Sequence, residues 1–350
     1  MLTFQQVEAT PRWWAFQAKF SDRLIQQTEE WIRFIAESQD ATPVLAEIRD
    51  GSSQVGCFCG LIITRFGIRI LGSPFPGWTT THMGFNLEPH VPRWMALQAL
   101  KRFAFHDLNC LYFEIADRLT TKEDGERCGL TGHFFHSYEI DLKKSEEQIF
   151  AEMKAPCRTC IRKAQKHGVV IEQSSGDDLF ADEYYEQLKD VFTRKGLVPN
   201  YSRELVQLFV HHLYPTGRLL LLRARDPDGK CIATSLYTGM NGLASFWGNA
   251  SLRSSQHLRP NQAIHWYAIR YWRAHGMKTF DWGGEGTYKE KYGGHKVLVH
   301  RFCNSRVPML PALREQARRL FMYKQRVKGW LAVRAGSPSK RGSPRQFEFD

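Results

Sequence analysis

Residues 260–282 read PNQAIHWYAIRYWRAHGMKTFDW, and residues 92–116 read PRWMALQALKRFAFHDLNCLYFEIA. Each stretch opens on a proline, which suits the first helical turn. Each continues as an aromatic-rich helix and runs directly into a strand. Pro260 stands 20 residues before Phe280, and Pro92 stands 20 residues before Tyr112. The matched spacing predicts one α/β unit used twice. Outward from the second copy, the strands predicted are 169–173, 218–225, 231–240, 243–249 and 278–282. Asn241-Gly242 is a two-residue hairpin signal, and Gly276 is a helix stop. Outward from the first copy, a helix is predicted over 22–37, with strands at 43–49, 55–64, 67–71 and 110–116. A loop rich in Gly, Pro and Thr fills 72–84. One basic helix is expected over 145–167. The division expected is 1–143 and 144–306, followed by a basic amphipathic helix over 307–335 and a disordered tail over 336–350.

The formal net charge is +12 over 350 residues. From Pro308 to Asp350 there are ten Lys/Arg against three acids, a balance of +7. The basic excess therefore belongs chiefly to the C-terminal segment. It implies an anionic partner, whether tRNA, a phosphorylated donor or an acidic membrane face. The eight cysteines have no regular framework, and Met1–Arg12 contains no apolar core segment. Reduced thiols in a cytoplasmic, monomeric protein are the expectation. The apolar stripe of the C-terminal helix either packs onto the protein, which is the favoured reading, or lies peripherally on the anionic inner membrane face. Cys157 and Cys160 form a lone CxxC without the second ligand pair zinc requires, so no metal is expected. No run of 18 apolar residues occurs.

The densest polar segment is 281–295, where Asp281, Glu285 and Glu290, Lys289 and Lys291, Tyr288 and Tyr292 and five glycines share fifteen residues. Glycines let a backbone approach a ligand and present N–H groups to developing negative charge. Lys289, read as an exposed loop lysine, could stabilise an oxyanion or bind a phosphate, while Lys291 points away. Asp281 or Glu285 could accept a proton from an attacking amine. A solvated glycine-rich loop is the plainer reading of the same composition. Tyr237, Trp247 and Asn249 lie on the central strands, where alternation turns some side chains out of the core. They are candidate substrate contacts, as is Tyr288.

The run Phe280-Asp281-Trp282-Gly283, then Tyr288-Lys289-Glu290-Lys291-Tyr292-Gly293-Gly294 and His300-Arg301-Phe302, resembles the C-terminal signature of the Fem-type transferases. These are the peptidoglycan interpeptide-bridge aminoacyltransferases and their CelD-like relatives in polysaccharide biosynthesis. Arg158 to Val169 is similar to that family's basic helix, which ends in Lys-x-Gly-Val before a strand. The loop Leu71–Thr80 resembles the CelD-like branch. Together these matches span residues 40–305. The resemblance implies two tandem GNAT-like (acetyltransferase-like) domains, each a mixed sheet flanked by helices, with chemistry in the second half. It places Lys289 on the family's functional lysine and Arg158, Arg162 and Lys163 on its basic helix. It implies an acyl-CoA or aminoacyl-tRNA donor and a sugar- or peptidoglycan-precursor acceptor. Coenzyme A-dependent acetyltransferases hold the pyrophosphate on a glycine-rich turn at a helix N-terminus. The corresponding turn here, Arg253–Asn261, has no glycine. Arg259 and Asn261 at the start of the Pro260 helix are the candidate donor-binding residues, and the two donors both remain open. The rival from another class is a non-catalytic carbohydrate- or nucleic-acid-binding protein that keeps the fold.

Overall fold

Proline and glycine punctuate the chain where the expected helices and strands begin and end. In the computed structural model, which describes residues 1–194, 197–199, 201–284, 286–314, 316, 320, 323–324 and 327, these elements gather into two units. The first comprises Met1–Ser137, Met240–Leu243 and Lys296–Pro311. The second comprises Tyr138–Gly239, Ala244–His295 and the described residues from Ala312 onward.

The first unit begins with a strand the sequence did not announce, β1 (Leu2–Val7), and a short helix, α1 (Pro11–Gln17), with Pro11 in its first turn. The helix predicted over 22–37 is shorter. It forms α2 (Glu29–Gln39), preceded by a 3-10 turn over Ile25–Gln27, because Thr28 accepts the Trp31 amide and caps it at that point. Then come β2 (Thr42–Asp50), β3 (Ser53–Arg65), β4 (Ile68–Ser73) and β5 (Gly84–Leu87). The 13-residue β3 is long enough to serve two neighbours on one side. Gly56–Cys59 pair with β5, and Leu61–Arg65 pair with β4. Helix α3 (Arg93–Arg102) follows Pro92 as predicted and leads into β6 (Tyr112–Ile115), which lies parallel to β4. After a short helix, α4 (Lys122–Arg127), the sheet is finished by a strand from far along the sequence, His295–Ser305, antiparallel to β6. The order is β1-β2-β3-β4-β6 and then that late strand. Phe4, Phe58, Phe85, Leu97, Phe103, Phe113 and Phe302 lie in its buried core.

The second unit opens with β7 (Thr131–Asp141), whose last four residues belong to it. The single basic helix expected over 145–167 is two helices, α5 (Glu146–Glu152) and α6 (Ala155–Lys166). The break at Met153-Lys154 has a direct cause. Pro156 has no N–H to extend the first helix, and it suits the opening turn of the second. Next come β8 (Val170–Gln173), α7 (Asp178–Arg194), α8 (Arg203–Leu213), β9 (Leu219–Arg225), β10 (Cys231–Met240) and β11 (Leu243–Ser251). Helix α9 (Pro260–Ala274) and β12 (Thr279–Asp281) complete the repeat. A 3-10 turn over Thr287–Tyr292 then leads to the late strand, β13. The order is β8-β9-β10-β11-β12-β7. This repeats the first unit's β1-β2-β3-β4-β6 plus a closing strand, so the chain has two tandem GNAT-like halves, each a sheet with helices. The closing strands are exchanged in sequence: β7 pairs with β12, and β13 pairs with β6.

The core of the second unit is aromatic, with Tyr237, Trp266, Trp272, Phe280, Trp282 and Tyr292 all buried. Gly239 in β10 makes room for α9, since a Cβ there would stand 2.3 Å from the Trp272 ring. At the end of the 3-10 turn, Gly293 and Gly294 have φ of 78° and 93°, and a Cβ on Gly294 would meet the Glu139 carbonyl oxygen at 2.4 Å. The paired glycines of the 281–295 segment are thus required by close approach to β7. The segment expected as a helix over 307–335 falls largely, and the tail over 336–350 wholly, outside the described residues. Among the described residues no helix is long and apolar enough to cross a membrane.

Because the Gly294 obstruction is backbone, Gly294→Ala should cost about 2 kcal/mol or more of unfolding free energy. Gly51→Ala carries a similar positive φ of 58° but faces open space, so it should cost only about 1 kcal/mol. Denaturant titration of the two variants checks this, and equal losses would contradict the close-approach account.

Candidate active site

Strand β12 ends at Asp281, and the chain then turns sharply through Gly283 and Gly284, both with positive φ. The Asp281 carboxylate is buried and accepts the Gly283 amide at 2.8 Å, which holds the turn closed. Lys289 folds back from the 3-10 turn into the space so formed. It is not the exposed loop lysine expected from composition, for it retains only 4% of its accessible surface. Its Nζ donates to the carbonyl oxygens of Gly283 at 2.6 Å and Gly284 at 2.9 Å, and it lies 5.9 Å from the centre of the Phe246 ring. A buried ammonium needs such acceptors to remain charged. Burial pulls its pKa down to about 8, and the Asp281 carboxylate opposes that pull. At neutral pH the group is therefore mostly charged and close to releasing its proton.

Behind the lysine stands a residue that motif reading missed. His265 on α9 is buried, and its Nδ1 lies 2.6 Å from the Tyr237 hydroxyl. The rings of Tyr237, Phe246, Trp282 and Tyr292 surround it at centroid distances of 6.0, 5.4, 5.0 and 5.2 Å. Burial first, then the positive charges of Lys291 and Lys289, push its pKa down to about 3. The imidazole is therefore neutral. The Tyr237 phenol, itself pushed up by burial, keeps its proton, and it shares the hydrogen bond with the neutral imidazole. The available signal was helical spacing: positions 265, 268, 269 and 272 share one apolar face.

The other predicted residues fall in several places. Tyr237 sits in this cluster, and Tyr288 stands beside it with 47% of its surface exposed and Lys289 Nζ 5.8 Å from its ring. Lys291, expected to point away, is half-buried, with its Nζ 5.9 Å from the Tyr288 ring and 5.2 Å from that of Tyr292. Trp247 stacks on Phe209 at 4.3 Å, next to the hydrogen-bonded pair Tyr184–Tyr201. The Asn249 amide donates to the Thr234 carbonyl at 3.1 Å. Arg158 donates to the carbonyls of Ala151 and Met153 and so caps the end of α5. Arg162 lies over the Phe150 ring at 5.4 Å, and Lys163 is exposed. Arg259 is exposed with φ of 62° and precedes α9, while the Oδ1 of Asn261 is buried without a hydrogen-bond partner among the described residues. Glu285 lies outside the described residues. Of the distal His300-Arg301-Phe302 run, Arg301 donates to the Pro74 carbonyl at 2.8 Å and Phe302 is in the core of the first unit.

A charged donor at the end of a central strand, beside a buried aromatic wall, is the arrangement that acyl transfer needs where negative charge develops on an acyl group, and it marks this as the candidate site. The class is that of the acyltransferases. Residues 151–292 match the acetyltransferase (GNAT) domain family, and the chain is an acyltransferase. Among solved structures it is similar to FemX, with a TM-score of 0.70 at 13% identity over 88% of this chain and 99% of that one. It is also similar to the C-terminal domain of a putative lysylphosphatidylglycerol synthetase from Agrobacterium fabrum, with a TM-score of 0.53 at 11% identity over 86% and 96%. A tandem GNAT protein from the clavulanic acid biosynthesis pathway matches with a TM-score of 0.53 at 11% identity over 88% and 99%. At these identities the likeness is one of fold. No curated protein matches the sequence.

The neutral state of His265 has a measurable consequence. Between pH 6.5 and about 3 the unfolded chain takes up a proton on this imidazole that the folded chain refuses. Stability contributed by the neutral group is thus complete above pH 6.5 and falls as the pH drops. The stability difference between wild type and His265→Gln should shrink by up to about 1.4 kcal/mol per pH unit across that window. Parallel pH–stability curves for the two proteins would rule this out.

Proposed function

We propose that the protein transfers an acyl or aminoacyl group onto an amine or hydroxyl of a cell-envelope or polysaccharide-type acceptor, with Lys289 as the main charge stabiliser. The observation that carries the reading is the Lys289 ammonium itself, buried at the end of β12 and fixed by two carbonyls. In this mechanism the acceptor attacks the carbonyl carbon of an ester or thioester. The oxygen gains negative charge, and Lys289, already oriented, donates to it or draws it by field. Asp281, Glu285 or the substrate takes the acceptor's proton and returns it to the departing oxygen or sulfur as the ester or thioester bond breaks, so that an alcohol or thiol leaves. Tyr288 and Trp247 contact substrate, while Tyr237, wholly buried with its hydroxyl on His265, supports the aromatic wall and makes no substrate contact. Arg158, Arg162 and Lys163 contribute positive field from α6.

The donor is an acyl-CoA or an aminoacyl-tRNA. Arg259 and Asn261 are the residues proposed to meet its phosphate, Arg259 through its guanidinium and Asn261 through its amide N–H groups. The acceptor class draws support from the neighbours' names, since a lysylphosphatidylglycerol synthetase is named for joining an aminoacyl group to a membrane lipid. Residues 1–143 and 144–306 are proposed as the two evolutionary repeats, with catalysis in the second. The basic segment 307–335 is proposed to reach an acidic membrane face.

Once a donor is found by screening acyl-CoAs and aminoacyl-tRNAs, Lys289→Ala should lower turnover by roughly 10²–10³-fold. Wild-type activity should decline as pH rises through about 8, where the ammonium loses its proton. Lys289→Arg, which stays charged, should lack that alkaline decline. Near-full turnover in Lys289→Ala would exclude the role.

A further inference from the structure

The hairpin between β3 and β4 carries an unusual residue at its tip. Arg65 pairs with Ile68, so Phe66 and Gly67 alone form the turn. Both have positive φ, 53° and 75°. This is the two-residue geometry that strongly prefers Asn-Gly, because Asn tolerates the left-handed region and a bulky side chain does not. The same chain uses Asn241-Gly242, with φ of 48° and 81°, for the connection between β10 and β11. At the first hairpin a phenylalanine takes the asparagine position, and it is 103% exposed. Its backbone is strained and its ring buries nothing, so neither turn geometry nor core packing accounts for it.

The surroundings indicate what it meets. Arg69, at the start of β4, accepts the Leu111 amide through its carbonyl at 3.0 Å, and the Leu111 carbonyl accepts the Arg306 amide at 2.9 Å. Three neighbouring chain segments therefore end together on one rim of the first unit's sheet. The rim presents Arg65, Arg69 and Arg306, all exposed and none ion-paired among the described residues. Beside Arg306 stand two more exposed apolar side chains, Val307 and Met309, the latter 70% exposed. The sequence that leaves this rim after Pro311 holds the C-terminal excess of Lys and Arg.

We propose that this rim is a membrane-docking surface, with Phe66 inserting at the headgroup–acyl boundary of an anionic bilayer and Arg65, Arg69 and Arg306 lying among the lipid phosphates. Charge complementarity selects an anionic surface, and apolar groups interleaved with cations suit the bilayer interface. Arginine stems lie on apolar surface while their heads stay wet. A nucleic acid would use the cations, but it offers no apolar medium for the flexible Met309 and the aliphatic Val307. The surface is independent of the acyl-transfer reading, and it shares Val307 and Met309 with the segment 307–335.

The test is flotation of the full chain with phosphatidylcholine vesicles and with phosphatidylcholine/phosphatidylglycerol vesicles. Wild type should float only with the anionic ones. Phe66→Asn recreates the turn used at 241–242, so its melting temperature should be equal or higher, which guards against misfolding. Its partitioning should nevertheless fall roughly tenfold to a hundredfold, the worth of one buried aromatic side chain. Phe66→Trp should partition like wild type. The proposal is overturned if Phe66→Asn floats as well as wild type, which would leave binding to the C-terminal segment. It is also overturned if wild type ignores anionic vesicles, or if bulk tRNA and not vesicles is the ligand that Phe66→Asn loses.

Discussion

An ammonium group stripped of water must find oxygen acceptors or give up its proton, and this constraint organises the second unit. Lys289 is held by the carbonyls of Gly283 and Gly284, and those carbonyls face inward only because both residues adopt positive φ. The turn is fixed in place by Asp281, which takes the Gly283 amide, and Asp281 is fixed by its place in β12 opposite Glu139. Trp282, between the strand and the glycines, packs on His265 and Tyr292. One cation thus ties together a strand end, a glycine turn and an aromatic wall.

The wall works electrostatically as well as sterically. Aromatic rings around His265 exclude water and keep it neutral, so it adds no positive charge to a site that already holds Lys289 and has Lys291 nearby. A second cation in that space would make the lysine's proton harder to keep. The Tyr237 hydroxyl orients the ring through its hydrogen bond with Nδ1, so each group gives the other a polar partner inside the core.

The two units show how a repeat can be preserved while its last strand is reassigned. Each has the same neighbour order through five strands, yet β7 follows the first repeat in sequence and pairs in the second sheet, and β13 does the converse. The glycine pair before β13 lets the chain pass close to β7. That passage explains why the segment richest in chemistry is also rich in glycine. Part of its glycine content serves ligand-facing geometry at 283–284, and part serves backbone approach at 293–294.

What the sequence determined by itself is local and periodic. Pro92 and Pro260 start helices because their fixed φ suits a first turn, Asn241-Gly242 forms a hairpin, and the helix-to-strand repeat shows the tandem plan. The family signature marked 281–295 as the segment of interest. What it did not reveal depends on contacts distant in sequence. The break between α5 and α6 was foreshadowed by Pro156, but β1, β7 and β13 carry no pattern strong enough to stand out before their partners are known. Burial turned Lys289 from a loop lysine into a clamped, acid-shifted one, because desolvation is a property of everything packed around a group and not of its neighbours in the chain. His265 was hidden for the same reason, since a histidine on a helix acquires its character only from the four rings that tertiary packing closes around it.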